Sequence, residues 1–435
     1  MGIWTTIKIS ELADKNIENS FVDGDWIESE HIINEGIRII QTGNIGIGRY
    51  LDKSDSKKFI STNSFSQLKC KKVFPGDLLI CRLADPIGRC CIVPNVEEYY
   101  VTAVDVVILR PESNHFKKFL LYYLNDAKVL KAANDKAAGS TRQRVSRTNY
   151  GNIEISIPPY PEQTRIAEIL STADKAIEQT EKLIAKYKRI KTGLMHDLLT
   201  YGIDEHGNIR SKATHKFVVK NGIEVPEEWD VNSIGEINDY IGSGITPRGG
   251  SSVYEFSGIM LIRSQNVLVG TFNFDDVAFI SEEINLTMKR SELRGLDVLL
   301  NITGASIGRS HYVPLNFIKA NVNQHVCAIR IKNASMGKSF FVSSFLNSHA
   351  GQLQIKKLLG ASNREGLNYQ QIREMTIPLP QIAEDDEFQR IYSAMVLIID
   401  HLEIEERKLS KLHSLKTGLM QDLLSGKVRV KTKEE

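Results

Sequence analysis

Four side chains suited to reading a nucleic acid stand close together in GSTRQRVSR, Gly139 to Arg147: Arg142, Gln143, Arg144 and Arg147, with no acid among them. Arginine pairs bidentately with guanine and glutamine with adenine in the major groove, and both reach phosphate oxygens, so the stretch is a candidate DNA contact. The alternative is a solvated surface loop. The corresponding stretch of the second half, Gly360 to Gly366, carries Asn363 and Arg364 and is less basic, so it should add less to a salt-dependent phosphate term. Gln41 and Asn44 in the first half, with Arg263, Gln265 and Asn266 in the second, follow corresponding strands and have the same readout chemistry, although the asparagines also suit simple turns. Arg248, in TPRGG, is a further phosphate candidate.

Other constellations read as scaffold or as decoys. Arg89 and Arg309 lie in a repeated Ile-Gly-Arg and are expected to complete a hairpin, and Asp77 and Asp297 read as turn acids opening a strand. One carboxylate per half makes a poor nuclease site. Ile157-Pro158-Pro159-Tyr160 resembles an amino-methyltransferase string, but Ile157 cannot accept the hydrogen bond that the flipped base would donate. Gly43 to Gly48 has the wrong glycine order for a dinucleotide turn, and Met336 to Ser339 lacks the first glycine of a P-loop, since that position is Lys332.

The elements that must position these residues occur twice. Lys191 to Leu199 reads KTGLMHDLL and Lys416 to Leu424 reads KTGLMQDLL, identical except at one position. Trp229, Ile234, Glu236 and Ile237 restate Trp4, Ile9, Glu11 and Leu12, and Asp297, Leu299, Ile307-Gly308-Arg309 and Val313-Pro314 restate Asp77, Leu79, Ile87-Gly88-Arg89 and Val93-Pro94. The frame repeats while the loops differ, which suits two readers of two ligands of one type. Each half begins as short strands: Ile37 to Ile40, Asp77 to Cys81, Val101 to Leu109 and Ile153 to Ile157 in the first, with one helix carrying Phe116, Phe119, Leu120, Tyr123 and Leu124 on one face. Tandem Pro158-Pro159 stops the last strand. Ile166, Leu170, Ala173, Ile177, Thr180, Ile184, Tyr187, Leu194 and Leu198 then fall on alternating three- and four-residue steps, a coiled-coil seam. That helix should run about 38 residues, on the order of 57 Å. The second half ends in an equivalent seam from Phe388 to Leu423, closed by Gly426. Two equal helices at equivalent ends most simply pair antiparallel.

At 435 residues the chain holds two or three domains, and a net charge of +2 leaves any basic surface to local distribution. Five cysteines, at 70, 81, 90, 91 and 327, form no paired CxxC, so neither a zinc site nor a disulfide framework is expected. With no apolar run of membrane length and no signal-like start, a cytoplasmic location and no membrane partner are expected.

The order of domain, Pro158-Pro159-Tyr160-Pro161-Glu162-Gln163 entry, long helix ending in TGLMxDLL, then the whole unit again, resembles the specificity subunit of type I restriction-modification systems over nearly the entire chain. The entry string is blurred at Pro380-Gln381-Ile382-Ala383-Glu384. The resemblance implies an α/β (α+β) chain with an internal pseudo-twofold repeat: target recognition domains at 1–158 and 229–378, long antiparallel spacer helices at 159–200 and 379–426, a connector at 201–228 and a tail at 427–435. It implies a non-catalytic subunit that reads a bipartite double-stranded DNA target, one half-site per domain. Two methyltransferase subunits and then restriction subunits would join it, and S-adenosylmethionine, ATP and Mg would belong to those partners, with no cofactor on this chain. Ile169, Ile190 and Leu415 lie off the seams, and with Leu194, Met195, Leu198, Leu419, Met420 and Leu423 they form the candidate partner surface. Two other readings fit the residues: the specificity chain of another restriction class with a combined methyltransferase-nuclease partner, and a coiled-coil adaptor for proteins.

Overall fold

The computed structural model describes residues 3–139, 142–360, 366–381 and 385–431, the backbone alone at 385 and 386. The chain divides into two compact units, Met1–Glu181 with Arg407–Glu435 and Lys182–Glu406. Each unit therefore combines one run of strands with part of both long helices.

The strands of the first unit form a four-stranded antiparallel sheet in the order Phe21–Asp23, Val106–Leu109, Leu78–Cys81, Cys90–Ile92. A three-stranded sheet follows the order Phe59–Ile60, Ile37–Ile40, Val101–Thr102, and Thr5–Lys8 pairs with Glu154–Ile157. The second unit repeats all three orders: Asn238–Ser243, Val326–Ile331, Val298–Asn301, Ser310–Tyr312; then Ala278–Ile280, Ile259–Ile262, Ala320–Val322; then Trp229–Ser233 with Thr376–Pro380. The apolar run expected as one strand from Val101 to Leu109 is two, because Val106 N turns back to donate to Ala103 O and each piece serves a different sheet. The single helix expected in the first domain is also two, Lys117–Leu124 and Ala127–Asp135, the second capped by the Asp126 carboxylate accepting from Lys128 N. Strand register aligns Glu154 with Thr376, through partners Lys8 and Ser233, so Leu379-Pro380 is the counterpart of Ile157-Pro158.

The long helices run Tyr160–Thr200 and Asp385–Leu423, 41 and 39 residues. Seam residues Ile166, Leu170, Ala173, Ile177, Thr180 and Ile184 of the first are buried, as are Phe388, Ile391, Met395 and Leu402 of the second. Within each unit the two pair antiparallel, since rising numbers on one meet falling numbers on the other. In the first unit Lys416 Nζ lies 2.6 Å from Asp174 and Arg429 reaches back to Glu162. In the second, Lys188 Nζ lies 2.8 Å from Glu406 and Ile203 N donates to Glu387. The connector carries a hairpin absent from the sequence reading, Phe217–Lys220 with Ile223–Pro226, turning at Asn221-Gly222, which take φ of 50° and 75°. Asn-Gly is the pair that such a tight turn favours.

Both copies of the repeated string do the same work. Leu198 and Leu199 are buried in the core that holds Trp229, Ile234, Phe341 and Phe388, and Leu423 and Leu424 are buried in the core that holds Ile9, Leu12, Leu120 and Ile166. Beside each pair sits a three-residue clamp. Trp229 Nε1 donates to Glu387 at 3.2 Å, and Arg210 Nη1 and Nη2 donate to the same carboxylate at 2.5 and 3.1 Å. In the first unit Trp4 Nε1 donates to Glu162 at 3.3 Å, and Arg429 Nε and Nη2 donate at 2.6 and 2.7 Å. Gly202 lies against Trp229 with φ +69°, and a Cβ there would stand 2.5 Å from the indole and 2.2 Å from the carboxylate, so only glycine fits. The side chains of Arg210 and Glu387 are 3% and 0% exposed, whereas that of Arg429 is 25% exposed. Removing one partner of a buried pair costs about 3–5 kcal/mol, and less where water reaches the other. Glu387→Ala should therefore lower the stability of the second unit by about that amount and Glu162→Ala should lower the first by less, measured by denaturant unfolding; equal costs would contradict the burial argument.

Candidate nucleic-acid interface

The arginine-rich stretch is a hairpin on the first domain. Ala138 and Arg144 exchange backbone hydrogen bonds at 2.9 and 3.0 Å, and Gly139 takes φ +117°, where a Cβ would meet Arg142 O at 2.6 Å. Arg142 and Gln143 are exposed, and their side chains have no hydrogen-bond or ionic partner among the described residues. The next residues are tied down. Arg144 Nε lies 3.0 Å from Asp105, Val145 is fully buried, and the Ser146 hydroxyl caps the short helix Arg147–Gly151 by accepting from Asn149 N. Arg147 Nη1 donates to Phe21 O at 3.2 Å, and its Nε is 3.8 Å from Asp23. Under the hairpin lies Arg82, 2% exposed, which donates to Val145 O and Val104 O at 2.8 Å each and lies 2.8 Å from Asp23. Burial pulls its guanidinium below the usual arginine value, opposed by the Asp23 charge. A cleft of about 420 Å³ opens here, lined by Arg82, Lys136, Arg144, Arg147 and Asp23.

Two candidate readers are scaffold instead. Asn44 and Asn266 are buried and use their side chains on their own turns: Asn44 Oδ1 accepts from Gln41 N and its Nδ2 donates to Leu51 O, while Asn266 Oδ1 accepts from Arg263 N and its Nδ2 donates to Asn273 O and Asp276 O. An amide saturated by backbone cannot read a base. Arg263 and Gln265 both bind Asp276, Arg263 at 3.2 Å. Gln41 is half-buried, and Arg248 is exposed with no side-chain partner among the described residues. Asn363 and Arg364 lie outside the described residues.

The repeated Ile-Gly-Arg holds a difference that repetition concealed. Arg89 completes its hairpin as expected, donating to the carbonyls of Thr42, Ile45, Ala84 and Pro86 at 2.7–3.1 Å. Arg309 does not: it is exposed, with no side-chain partner among the described residues. The reason is Asn301, which stands where the first domain has Cys81. Its amide donates to Ser264 O and Val267 O, the counterparts of Thr42 O and Ile45 O, at 2.8 and 3.2 Å. Asp77 and Asp297 accept from Phe74 N and Arg294 N as turn acids, and each also forms an ion pair, with Arg110 at 2.9 Å and Arg330 at 2.8 Å.

Of the candidate partner surface, Leu198 and Leu423 are withdrawn, because both belong to domain cores. Leu194 and Met195 pack partly against one core and Ile169, Leu419 and Met420 against the other. Ile190 and Leu415 remain open, 39% and 55% exposed, and Leu397 and Ile404, which the seam pattern did not single out, are 60% and 52% exposed. Among the described residues no cluster of His, Cys, Asp or Glu could hold a metal ion, and no helix is long and apolar enough to cross a membrane.

The twin arginines should separate on substitution. Arg89→Ala should cost at least about 1.5–3 kcal/mol, the worth of one charged hydrogen bond, by denaturant unfolding. Arg309→Ala should stay within about 0.5 kcal/mol of the parent.

A family model described as type I restriction modification DNA specificity domain matches residues 1–189 and again 226–414. The chain is 24% identical over 364 residues to a putative type I restriction enzyme MjaX specificity subunit of Methanocaldococcus jannaschii, covering 82% of this chain and 79% of that one. It is 24% identical over 375 residues to the type I restriction enzyme EcoBI specificity subunit of Escherichia coli, covering 83% and 76%. In fold it is similar to the type I restriction-modification S subunit from M. genitalium, with TM-score 0.56 and 18% identity over 97% of this chain and 96% of that one. A chain from a structure addressing complex assembly and conformational transition of the type I R-M system superposes with TM-score 0.57 and 15% identity over 97% of each. The duplicated strand order, the shared helix-end closure and the twofold match of one model along the sequence agree: this chain belongs to the type I restriction-modification DNA specificity family.

Proposed function

We propose that this chain is the DNA sequence-recognition subunit of a type I restriction-modification complex, reading a bipartite target with one domain per half-site and docking methyltransferase subunits through its helices. The observation that carries this reading is the pairing of one repeated strand framework with unlike loops, one of them presenting Arg142 and Gln143 free of any described partner. Phosphate contacts from such cations position a protein on DNA, and base-edge contacts specify sequence. In the second domain Arg248 and Arg309 are exposed cations with no side-chain partner among the described residues. The chain supplies recognition, while methyl transfer, with S-adenosylmethionine, and ATP- and Mg-dependent cleavage fall to partner subunits. Family and relatives favour type I over another restriction class, and a protein adaptor would leave the free arginine and glutamine without a role.

Ile190 and Leu415 occupy the same position of the repeat, one residue before each KTGLM, and both are exposed. Equivalent apolar points suit two copies of one partner. Burying such a side chain is worth about 1.5–3 kcal/mol.

Purified with a co-expressed methyltransferase partner, the chain should direct methylation of random DNA to a two-part motif with a fixed gap. Arg142→Ala and Gln143→Ala should alter one half only. Partner binding without sequence-dependent methylation would leave the adaptor reading in place. Leu415→Asp should weaken one of two partner sites about tenfold or more, shifting the complex seen by light scattering from two bound partners toward one; unchanged stoichiometry at limiting partner would exclude this face.

A further inference from the structure

At the base of the arginine-rich loop and of its second-domain counterpart, the two domains hold equivalent positions with unlike chemistry. Arg82 N donates to Asp105 O and Val145 N to Arg82 O at 2.9 and 3.1 Å; in the second domain Ile302 N donates to His325 O and Leu367 N to Ile302 O at 3.0 and 2.9 Å. Asp23 pairs with Val107 across the sheet as Ser243 pairs with Cys327. Arg147 and Tyr369 each open the short helix that follows the loop, behind caps Ser146 and Asn368. Residue for residue, then, Asp23, Arg82, Asp105 and Arg147 of the first domain correspond to Ser243, Ile302, His325 and Tyr369 of the second.

The contacts correspond as well. Asp23 holds Arg82 at 2.8 Å and faces Arg147 at 3.8 Å. In the second domain Ser243 stands in Asp23's place and Tyr369 in Arg147's, and the Tyr369 hydroxyl accepts from Ser243 N at 2.9 Å and bonds the Ser243 hydroxyl at 2.6 Å. Asp105 holds Arg144 at 3.0 Å, where His325 Nδ1 bonds the Thr303 hydroxyl at 2.5 Å. One domain uses ion pairs around a buried guanidinium and the other neutral hydroxyls, but both tie the base of the loop to the same edge of the same sheet. That common outcome separates residues that fix the loop from residues at its free tip. Arg147 falls in the first group, with Arg142 and Gln143 in the second.

We infer that each domain holds its reading loop through a positioning contact at the loop's base: Asp23, acting on Arg82 and Arg147, in the first domain, and Tyr369, acting on Ser243, in the second. The inference rests on the half-site reading proposed above. A loop whose base is displaced misplaces its tip, and a good base contact is worth roughly tenfold or more in discrimination. Loss of a positioning residue therefore relaxes one half of the target and leaves the other intact.

The test is methylation mapping on random DNA with the complete chain and its methyltransferase partner. Asp23→Asn should raise methylation of sites mismatched in one half by roughly tenfold with the other half unchanged, and Tyr369→Phe should do the reverse. Asp23→Ser and Arg147→Tyr, combined with Arg82→Ile so that no buried guanidinium is left without its carboxylate, transplant the second domain's arrangement and should recover first-half discrimination that Arg147→Ala loses. A triple variant as defective as Arg147→Ala would make Arg147 a direct reader and overturn its assignment. Motifs unchanged in both single variants, or relaxed in both halves at once, would overturn the inference. If Asp23 variants do not fold, Tyr369→Phe, which removes one oxygen, decides alone. A parent chain with no two-part motif would instead overturn the half-site reading, and this inference with it.

Discussion

A buried carboxylate, shared by a tryptophan and an arginine, closes each half of this molecule, and the remaining architecture depends on where those three residues come from. In the second unit Trp229 opens the domain, Glu387 begins the second long helix and Arg210 follows the first. In the first unit Trp4 opens the domain, Glu162 begins the first helix and Arg429 follows the second. Neither domain is completed by its own repeat. The pairs Leu198-Leu199 and Leu423-Leu424 enter cores on the same principle, which is why the string around them recurs almost unchanged while the surfaces around it diverge. An antiparallel helix pair is the simplest way to deliver each helix end to the start of the other.

Much of this frame was legible in the sequence because it is periodic or repeated. The seams declared themselves by alternating three- and four-residue steps, and their residues Ile166, Leu170, Ile391 and Met395 are buried. Strand positions that recurred at a fixed offset proved to share one sheet order. What escaped was pairwise. No local pattern reveals that Arg82 reaches Val145 from 63 residues away, or that Asn301 takes over carbonyls that Arg89 serves in the other domain. Repetition misled at that point, since identical Ile-Gly-Arg strings sit against neighbours that had changed. The connector hairpin did have a local signal, Asn221-Gly222, overshadowed by the charge around it.

The candidate interface was legible in kind but not in detail. Clustered arginines identified the loop, and the structure divides them into those that secure it and those left open. Composition cannot make that division, because Arg142 and Arg144 are the same residue type two positions apart and only one of them faces a carboxylate. Likewise Asn44 and Asn266 have the chemistry of base readers, yet burial commits both amides to backbone. Fixed amides and ion pairs of this sort lower the entropy that a loop must lose on binding, which is the physical advantage of a rigid framework beneath variable tips.

Because the two helix ends differ at one position in nine, each presents nearly the same plug to the core it enters. A gene crossover inside that string would join the front of one such chain to the back of another and still leave both cores filled. New pairings of half-target preferences can thus arise by exchange of whole domains, without the intermediate of a misfolded protein, and repertoire can grow faster than point substitution in the loops alone would permit.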